Sequence, residues 1–453
     1  HGIDAFLARI LAAREVPADD VPSYLAPTLR DLLPDPSCLA DMDAAADRLS
    51  EAIINDEPIA VFGDYDVDGA TSSALLDRYL KALGVTPRIY IPDRLAEGYG
   101  PNSAAMRVLA EEGARVVITV DCGTMAFAPL EEASRLGLDV LVIDHHKAAP
   151  ELPIARAVVN PNRLDCGSGL GQLAAVGVVF MLVVATNRAL RQRGHFSDIR
   201  PEPNLTRLLD LVALGTVCDV VPLRGVNRAF VTQGLRIMGQ GQNCGLQALG
   251  AVAGMEGAPS PYHAGFLLGP RVNAGGRIGA SGLGAKLLST EDPDEAAAIA
   301  GRLDVLNAER RAIEADVLDQ AIALVDRDGL ADRAVSVVAG PSWHPGVIGI
   351  VAARIKERTG NPSIVIALDE KGMGKGSGRS IAGVDMGASV VRALEAGLLV
   401  NGGGHAMAAG LTLPRQQFEA FTQVFQQIIA ERVRIRTVVL GMLRECAQRR
   451  LAR

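Results

Sequence analysis

Apolar residues in this chain occur as short continuous runs that alternate with amphipathic stretches. Three of the runs are predicted to be buried parallel strands: residues 59–62, 116–120 and 140–143. Helical periodicity follows the first run, at residues 71–83, and precedes the second, at residues 103–112. Strand and helix patterns alternate from about residue 55 to 225, which predicts a parallel sheet with helices on both faces.

A second α/β pattern follows a helical region. An Ala-rich stretch at 295–325 is predicted to be a connecting helix, and beyond it the pattern predicts strands at 335–339 and 363–367 with helices at 347–358 and 418–430. The predicted fold class is therefore α/β, with two α/β domains joined by a helical connector and a cleft between them. The predicted divisions are a helical lead-in (1–50), a first α/β domain (51–225), the connector (226–330), a smaller α/β domain (331–430) and an Arg-rich tail (431–453).

Composition narrows the range of functions. The 453 residues carry a formal net charge of −7, which argues against a generally basic nucleic-acid-binding surface but allows a local basic groove. The six cysteines include no C-x-x-C pair, as expected in a reducing compartment such as the cytoplasm. The most apolar stretch, residues 173–185, is too short to span a bilayer, so we expect a core helix there and no membrane attachment. We find no signal-peptide pattern, and because the chain starts at His1 it can be a piece of a longer protein.

Carboxylates and imidazoles collect where the predicted strands end. The first strand is followed by Asp64, Asp66 and Asp68, the second by Asp121, and the third by Asp144, His145 and His146. Because ligands of open α/β sheets bind at the carboxyl ends of the strands, we expect these side chains to converge. Carboxylate oxygens mixed with imidazole suit Mn²⁺ or Mg²⁺ better than a metal that prefers thiolates.

These residues match the needs of phosphodiester hydrolysis. Two cations about 3.5–4 Å apart lower the pKa of a bridging water and neutralise charge on the phosphoryl group. Asp66 and Asp68 can point to the same place if their loop curls, and Gly69 lets a helix begin close behind them. The N-terminus of that helix would also attract phosphate. Asp219 lies in the apolar run 211–223, where a lone acid is costly unless it is paired or bound to metal.

A series of motifs along the chain resembles one enzyme family. Two of them are Gly63-Asp64-Tyr65-Asp66-Val67-Asp68-Gly69 and Ile143-Asp144-His145-His146. The others follow in order at residues 91–100, 120–123, 160–162, 215–223, 269–277 and 402–405. Together they resemble the DHH phosphoesterase superfamily and, within it, the RecJ family of 5′→3′ single-strand-DNA exonucleases. Many DHH relatives have a His four residues before the Asp66 position, where this chain has Phe62, and this departure favours the RecJ branch.

The resemblance implies a DHH catalytic domain at 51–225, a DHHA1 substrate-binding domain at 331–430 and two divalent ions, Mn²⁺ or Mg²⁺. It assigns the metals to Asp66, Asp68, Asp121, His145 and Asp219, with Asp64 as a further candidate ligand. His146 would donate to the scissile phosphate, and Asp144 would orient a histidine. The implied activity is hydrolysis of single-stranded DNA from its 5′ end, in DNA repair and recombination.

The same resemblance implies contacts with the DNA strand and its 5′-terminal phosphate. It assigns them to Arg94, Arg271, Arg277, Ser377, Arg379 and His405. RecJ chains commonly continue into an OB-fold. The tail at 431–453 has seven Arg but is too short for one, so we do not expect its DNA contacts in this chain. The implied partners are single-stranded DNA, a single-strand-binding protein and a helicase, and we expect a monomer.

Simpler structural roles stay open for several residues. Asp-rich turns are often helix N-caps, adjacent histidines are commonly a surface pair, and a single Arg is often a solvated charge. Cys122 and Cys218 are expected to be packing residues, whereas Tyr99 and Trp343 fit base stacking and packing equally well.

Two other functions also stay open. One is a DHH enzyme acting on short oligonucleotides, cyclic dinucleotides or pyrophosphate, and the motif at 269–277 and the long connector argue against it. The other is a non-catalytic nucleic-acid-binding relative, and the intact set of acids and histidines argues against that role.

Overall fold

The structure, a computed structural model, describes residues 2–94 and 96–433, and it divides into two compact units. The first unit ends at Asn307 and the second begins at Ala308, so the division falls within a long helix. The Arg-rich tail beyond residue 433 lies outside the described residues. The domain boundaries predicted from the sequence stay predictions.

The first unit contains a five-stranded parallel sheet. Its strands are β1 Ile59–Gly63, β2 Arg88–Tyr90, β3 Val116–Val120, β4 Asp139–Ile143 and β5 Ala157–Val159. They lie in the order β2-β1-β3-β4-β5, which confirms the predicted parallel α/β fold. The two edge strands, β2 and β5, have three residues each and are too short for a hydrophobic run to reveal them.

Helices cover both faces of this sheet. Successive side chains of each strand point to opposite faces, so they enter two different cores. Val61 and Ile118 lie in one core with residues of α4, α5 and α8, whereas Phe62 and Val117 lie in another with residues of α6 and α7. The helix bounds are α1 Ala5–Ala13, α2 Val21–Leu25, α3 Leu29–Leu32, α4 Met42–Ile54, α5 Val67–Ala82, α6 Ser103–Glu111, α7 Phe127–Arg135, α8 Ala175–Gln192, α9 Leu209–Cys218, α10 Val226–Met238, α11 Cys244–Val252, α12 Gly269–Ile278, α13 Leu283–Ser289 and α14 Pro293–Arg327. A π-helix, His263–Leu268, directly precedes α12.

The helix α8 is the core helix that the apolar stretch at 173–185 predicts. Within the described part of the chain it is the one helix long and apolar enough to cross a membrane, and 78% of it is buried inside the protein. Because the core helices of many proteins pass the same test of length and composition, this property is weak support for a membrane span.

The second unit contains a five-stranded mixed sheet. Its strands are β6 Ser336–Pro341, β7 Ser363–Leu368, β8 Met373–Arg379, β9 Asn401–Gly404 and β10 Ala408–Pro414, in the order β6-β7-β8-β10-β9. Only β6 and β7 are parallel among these pairs. The helices are α15 Ile348–Thr359, α16 Met386–Glu395 and a closing helix at residues 418–433. The sequence patterns at 335–339 and 363–367 are confirmed as strands, whereas the glycine-rich strands β8 and β9 give no hydrophobic signal.

Replacing Asp210 with Asn should change how stability depends on pH. Asp210 is buried in α9, where the backbone N–H of Leu211 donates to its carboxylate, and burial raises its pKa to about 6. A raised acid pKa favours the folded state at low pH, and this benefit is lost as the pH rises from about 4 to 6. Relative to wild type, Asp210→Asn should therefore gain about 2–3 kcal/mol in the free energy of unfolding between pH 4 and pH 7.5. Urea unfolding of both proteins at both pH values measures this gain, and a constant difference would contradict the assignment.

Candidate metal centre

The candidate site forms because the strands of the first sheet end in register. Gly63 pairs with Val120, Val120 with Ile143, and Ile143 with Val159. The residue that follows each of these strand ends is polar and buried: Asp64, Asp121, Asp144 and Asn160. The structure therefore places these four side chains along one edge of the sheet, as the positions of the acids in the sequence predict.

The turn after β1 carries the acid pair at 66 and 68. Asp66 is the N-cap of α5, and its Oδ1 accepts from the N–H groups of Asp68 and Gly69 at 2.9 and 3.1 Å. A Cβ on Gly69 would lie 2.4 Å from the backbone oxygen of Asp64, so only glycine allows the turn to fold this tightly.

Asp68 caps a different helix from the one that contains it. Its two carboxylate oxygens accept from the N–H groups of Ala175 and Val176 at 2.6 and 2.9 Å, at the start of α8. The simple capping role is therefore real for Asp68, but it ties the metal-site turn to a helix more than a hundred residues later. Burial raises the pKa of this carboxyl group.

His145 lies between acids on two sides. Its Nδ1 is 3.0 Å from the backbone oxygen of Leu173, and its Nε2 is 3.3 Å from Asp121 Oδ1 and 3.8 Å from Asp68 Oδ2. A carbonyl oxygen only accepts hydrogen bonds, so Nδ1 carries a proton, and in the neutral ring the Nε2 lone pair faces the two carboxylates. Lone pairs that face one another across about 3–4 Å are stabilised by a cation between them. Asp219 Oδ2 is 3.7 Å from the Nδ1 side of the same ring.

Asp144 and His146 form an ion pair beside this cluster. Asp144 Oδ1 accepts from His146 Nδ1 at 2.8 Å and from the backbone N–H of both histidines, while its Oδ2 accepts from the N–H of Thr124. Burial alone would raise the pKa of Asp144, but these hydrogen bonds outweigh it and hold the pKa below its usual range. Burial alone would lower the pKa of His146, but Asp144 raises it to about 9, so the ring is cationic at neutral pH.

Several carboxylates of the cluster lack the partners that burial normally demands. Asp64 Oδ1 and Asp121 Oδ1 are buried and accept no hydrogen bond. Burial raises the pKa of both groups well above the usual range, and nearby carboxylates raise it further. Burial, with Asp68 and Asp66 close by, raises the pKa of Asp219 to about 8. Asp121 is also held at a φ of +60°, a strained conformation of the kind that collects at functional sites.

Oxygen and nitrogen donors in this cluster come close enough to share an ion. Three groups have one donor atom per residue within 4.8 Å of one another: Asp121, His145 and His146; Asp68, His145 and Asp219; and Asp64, Asp66 and Asp121. The unsatisfied oxygens and the donor types fit Mn²⁺ or Mg²⁺. All six predicted metal ligands, together with Asp144 and His146, are therefore brought together in the first unit.

Of the three arginines predicted in the first unit, two lie near Tyr65 in the acidic turn and one is held in an ion pair away from it. Arg94 lies with its guanidinium 5.1 Å from the centre of the Tyr65 ring, and both Arg94 and Arg277 act electrostatically on that tyrosine. A Cβ on Gly276 would be 2.6 Å from the Tyr65 backbone oxygen, so α12 packs directly on the turn that carries the acids. Arg271 instead pairs with Asp304 at 2.8 Å and donates to the Leu267 carbonyl, a contact set that stabilises the packing of α12.

The candidate residues of the second unit also lie together. Arg379 Nη1 donates to Ser377 Oγ at 3.0 Å, and both residues are on β8. The turn between β9 and β10 begins at His405, and the N–H of Ser380 donates to the Met407 carbonyl in that turn. The role of these residues in binding nucleic acid stays a prediction.

Other residues organise the site in ways that the sequence did not reveal. Asn160 Nδ2 donates to the backbone oxygen of His146, and Asn162 Nδ2 donates to that of His145. Both asparagines belong to the motif at 160–162, whose polar residues after a short edge strand were the available signal. Tyr99 donates its hydroxyl hydrogen to the Asp121 backbone oxygen at 2.9 Å, with its ring edge-on to His146.

Packing roles are supported for three residues. Trp343 is only 4% exposed and its Nε1 donates to Gln320, which leaves no free face for base stacking. Cys122 is buried among the residues beside the sheet, and burial raises the pKa of its thiol. Cys218 packs against the backbone of Ala264, as its interpretation as a packing residue predicts.

Comparison with known proteins defines first the class and then the family. The family model for the DHH family, N-terminal domain, matches residues 58–216, and the DHHA1 domain model matches residues 332–431. The chain thus contains, in this order, the two domains that define the DHH class of proteins. The chain belongs to the RecJ family, whose curated members it resembles along most of its length.

The similarity to individual RecJ proteins is high. The chain is 40% identical over 444 residues to the single-stranded-DNA-specific exonuclease RecJ of Dickeya dadantii, covering 95% of this chain and 75% of that protein. It is 41% identical over 381 residues to the RecJ of Bacillus subtilis, covering 84% of this chain but 46% of that protein. The chain therefore spans about half the length of the Bacillus relative.

Two solved structures of RecJ proteins have a fold similar to that of this chain. A crystal structure of RecJ from Thermus thermophilus in complex with Mn²⁺ superposes with a TM-score of 0.75 at 33% identity, covering 87% of this chain and 55% of that one. A crystal structure of exonuclease RecJ bound to manganese gives a TM-score of 0.74 at 35% identity, covering 86% of this chain and 95% of that one.

Proposed function

We propose that this protein is a metal-dependent exonuclease that hydrolyses single-stranded DNA from its 5′ end. The observation that carries the proposal is the register of three strands, which sets Asp64, Asp121 and Asp144 side by side next to His145 and His146. Asp64 and Asp121 each have a buried carboxylate oxygen that accepts no hydrogen bond, which is costly in a protein without a cationic ligand. We infer the substrate from the names of the relatives, because the curated RecJ proteins are specific for single-stranded DNA.

The metal-binding part of the proposal assigns two divalent ions, Mn²⁺ or Mg²⁺, to the acid–histidine cluster. The proposed ligands are Asp64, Asp66, Asp68, Asp121, His145 and Asp219. When bound, such ions lower the pKa of a water and neutralise charge on the phosphoryl oxygens. Support comes from the unsatisfied oxygens of Asp64 and Asp121 and from the Mn²⁺ and Mg²⁺ complexes of the related structures.

The residues around the ions would position the substrate. The Asp144 carboxylate raises the pKa of His146, which favours the protonated ring that can donate to a phosphoryl oxygen. Asp144 holds the ring in place, and Asn160 fixes the His146 backbone. In the metal-binding set, Asp68 is held rigid by the N-terminus of α8, which reduces the reorganisation needed when substrate binds.

The contacts with the strand are proposed from both units. In the first unit, Arg94 and Arg277 lie around Tyr65 and can bind backbone phosphates. In the second unit, Ser377, Arg379 and His405 can bind the 5′-terminal phosphate through a hydroxyl, a guanidinium and an imidazole. Arg271 is proposed to contribute indirectly, because its guanidinium is already paired with Asp304.

The cellular role follows the relatives. We propose that the protein acts in the cytoplasm, in DNA repair and recombination, as a monomer that works with a single-strand-binding protein and a helicase. The support is the family membership, since the curated relatives are single-stranded-DNA-specific exonucleases.

Digestion of end-labelled DNA tests the proposed activity. The purified chain is incubated with Mn²⁺ and a long single-stranded oligonucleotide labelled at either end, beside a duplex and a dinucleotide. We expect mononucleotides to be released progressively from the 5′ end of the single strand, with the duplex resistant. Turnover of the dinucleotide alone would assign the protein to the short-substrate DHH enzymes, and no turnover of any substrate would contradict the exonuclease assignment.

A further inference from the structure

Two cysteines that are far apart in the sequence lie on neighbouring segments of the first unit. Cys38 is exposed at the end of the 3₁₀-helix Pro36–Cys38, and Cys166 is half-buried in the loop that follows β5. The backbone N–H of Ala40 donates to the Cys166 sulfur, and the two thiols interact electrostatically. Because two residues of chain span at most about 7 Å, Cys38 lies close to the amide that contacts Cys166.

An ion-pair network holds these two segments side by side. Asp41 Oδ2 accepts from Arg163 Nη1 at 2.6 Å and from the backbone N–H of Val158 at 3.1 Å. The Arg163 guanidinium also donates to both carboxylate oxygens of Asp165, and Arg163 is only 8% exposed. A buried guanidinium with fixed partners keeps one geometry. The closeness of the two thiols is therefore built into the fold.

The surroundings of Cys166 favour its thiolate form. Ser168 Oγ is 3.3 Å from Cys166 Sγ and accepts from the N–H of Leu170, so its hydroxyl hydrogen can point to an ionised sulfur. Burial alone would raise the pKa of Cys166, but the hydrogen bonds from Ala40 and Ser168 outweigh it and lower the pKa. The nearby Arg163 guanidinium acts in the same direction. The thiolate is the form of cysteine that reacts with peroxides.

The three remaining cysteines among the described residues have the opposite surroundings. Cys122, Cys218 and Cys244 each donate the thiol hydrogen to a backbone carbonyl, at 3.3, 3.4 and 3.0 Å. Ionisation would remove that hydrogen bond, and burial raises the pKa of Cys122 and Cys218. Cys446 lies outside the described residues. Within the part of the chain that the structure describes, Cys166 is thus the cysteine best suited to react with an oxidant.

The loop that carries Cys166 is tied to the metal centre through Asn162. Asn162 Nδ2 donates to the backbone oxygen of His145 and also to that of Gly171, at 3.2 Å, so the loop begins and ends on this side chain. A Cβ on Gly171 would lie 2.6 Å from Asn162 Oδ1, which shows how closely the two residues pack. A movement of the loop therefore moves the group that holds the His145 backbone.

We propose that Cys166 is a peroxide-reactive cysteine that forms a reversible disulfide with Cys38, and that this bridge slows the exonuclease. The Cys166 thiolate attacks one oxygen of hydrogen peroxide, an S–O bond forms as the O–O bond breaks, and hydroxide leaves. The Cys38 sulfur then attacks the sulfenic acid, and the S–S bond forms as the hydroxyl group leaves with the Cys38 proton as water. The modification site goes beyond the proposed function, whereas its effect on the rate rests on that function.

Formation of the bridge must displace the loop. In the reduced protein the Cys166 sulfur is held by Ala40 and Ser168, and a disulfide instead requires Cα atoms about 4.4–6.8 Å apart and an S–S bond of about 2.05 Å. The loop is then drawn toward Cys38, and Asn162 moves with it. A displacement of about 1 Å in a positioned group can cost about 10²-fold in rate. Thiol reductants reverse the bridge by exchange.

Peptide mass spectrometry after oxidation tests the modification site. The metal-free full chain is treated with hydrogen peroxide, the peroxide is removed with catalase, and the remaining thiols are alkylated before digestion without reductant. We expect a peptide cross-linked between Cys38 and Cys166 that dithiothreitol removes, and a sulfenic acid at Cys166 that dimedone traps in Cys38→Ser. Ser168→Ala should slow the oxidation of Cys166 at pH 7 by about 2- to 10-fold. Alkylation of both cysteines after peroxide treatment would overturn the proposal.

Digestion rates test the effect on the metal centre, with Mn²⁺ added after the peroxide is removed. Oxidised wild type should digest the single strand about 10- to 100-fold more slowly and should recover with dithiothreitol. Cys166→Ser should keep its rate after peroxide, and the control Cys244→Ser should form the bridge and lose rate as wild type does.

Two results would overturn the effect on the rate: an equal loss in wild type and Cys166→Ser, or a complete bridge with no loss. A reduced wild type that digests no strand would overturn the proposed function instead, and the cross-link measurement would still decide whether the two cysteines form the modification site.

Discussion

Replacing Asp121 with Asn should reduce the exonuclease rate by about 10³-fold or more while leaving the protein folded. The amide has the shape of the carboxylate but not its charge, so it cannot neutralise a cation that faces Asp121 Oδ1 and His145 Nε2. The loss of about 4 kcal/mol corresponds to the transition-state stabilisation that a metal site supplies. Because Asp121 Oδ1 is buried without a partner, the metal-free variant should be at least as stable as metal-free wild type. Steady-state digestion rates and thermal midpoints without metal measure the two effects.

The matched control is Asp77→Asn. Asp77 is also a buried acid of the first unit, but it lies further along α5 and its partner is Lys81 at 2.7 Å. This variant should lose some stability and keep its activity, the opposite of the pattern expected for Asp121. A variant at Asp121 that digests DNA at a rate near that of wild type would remove Asp121 from the proposed ligand set.

Adding Mn²⁺ should stabilise the first unit strongly. The repulsion among Asp64, Asp66, Asp68 and Asp121 favours unfolding, and a cation that binds only the folded state relieves it. At a free Mn²⁺ concentration of about 100 times Kd, the free energy of unfolding should increase by about 2.7 kcal/mol. Chemical denaturation followed with and without Mn²⁺ measures the gain.

Two comparisons make this second prediction specific. The gain should be retained in Asp77→Asn, since that carboxylate is outside the cluster, and should shrink in Asp121→Asn. Chelation with excess EDTA should return wild type to its metal-free stability. An equal gain in all three proteins would show that Mn²⁺ acts elsewhere on the chain.

The core of the first unit could be predicted from sequence because its strands are continuous apolar runs. The runs at 59–62, 116–120 and 140–143 are confirmed as β1, β3 and β4, since strands buried on both faces must be apolar throughout. Two groups of strands could not be predicted, for physical reasons: the edge strands β2 and β5, and the glycine-rich strands of the second unit. Short edges need little hydrophobic content, and the glycines of β8 pack under Ile366, Leu411 and Met386, which supply the apolar surface themselves.

The acids and histidines of the site could be located from sequence, but their partners could not. Position after a strand predicts that Asp64, Asp121 and Asp144 meet, because parallel strand ends share one edge. That Asp68 binds the N-terminus of α8, and that the motif at 160–162 holds the histidine backbone, depend on contacts between distant segments. The pairing of Arg271 with Asp304 is likewise a long-range contact that no local pattern indicates.

The surroundings of the aromatic residues also could not be predicted from the sequence. The sequence leaves base stacking and packing equally open for Tyr99 and Trp343. The structure buries Trp343, whereas Tyr99 is 54% exposed and donates to the Asp121 backbone, so base stacking by Tyr99 stays a prediction. Exposure of a side chain is a property of the fold, so no local sequence pattern could separate these two residues.

Diffraction from crystals grown with Mn²⁺, recorded at the manganese absorption edge, tests the metal assignment most directly. Two anomalous peaks about 3.5–4 Å apart are expected within the cluster of Asp64, Asp66, Asp68, Asp121, His145 and Asp219. Wild type and Asp121→Asn should differ in the occupancy of at least one peak. Crystals that contain Mn²⁺ but show no peak at this edge of the sheet would contradict the proposed metal centre and the mechanism derived from it.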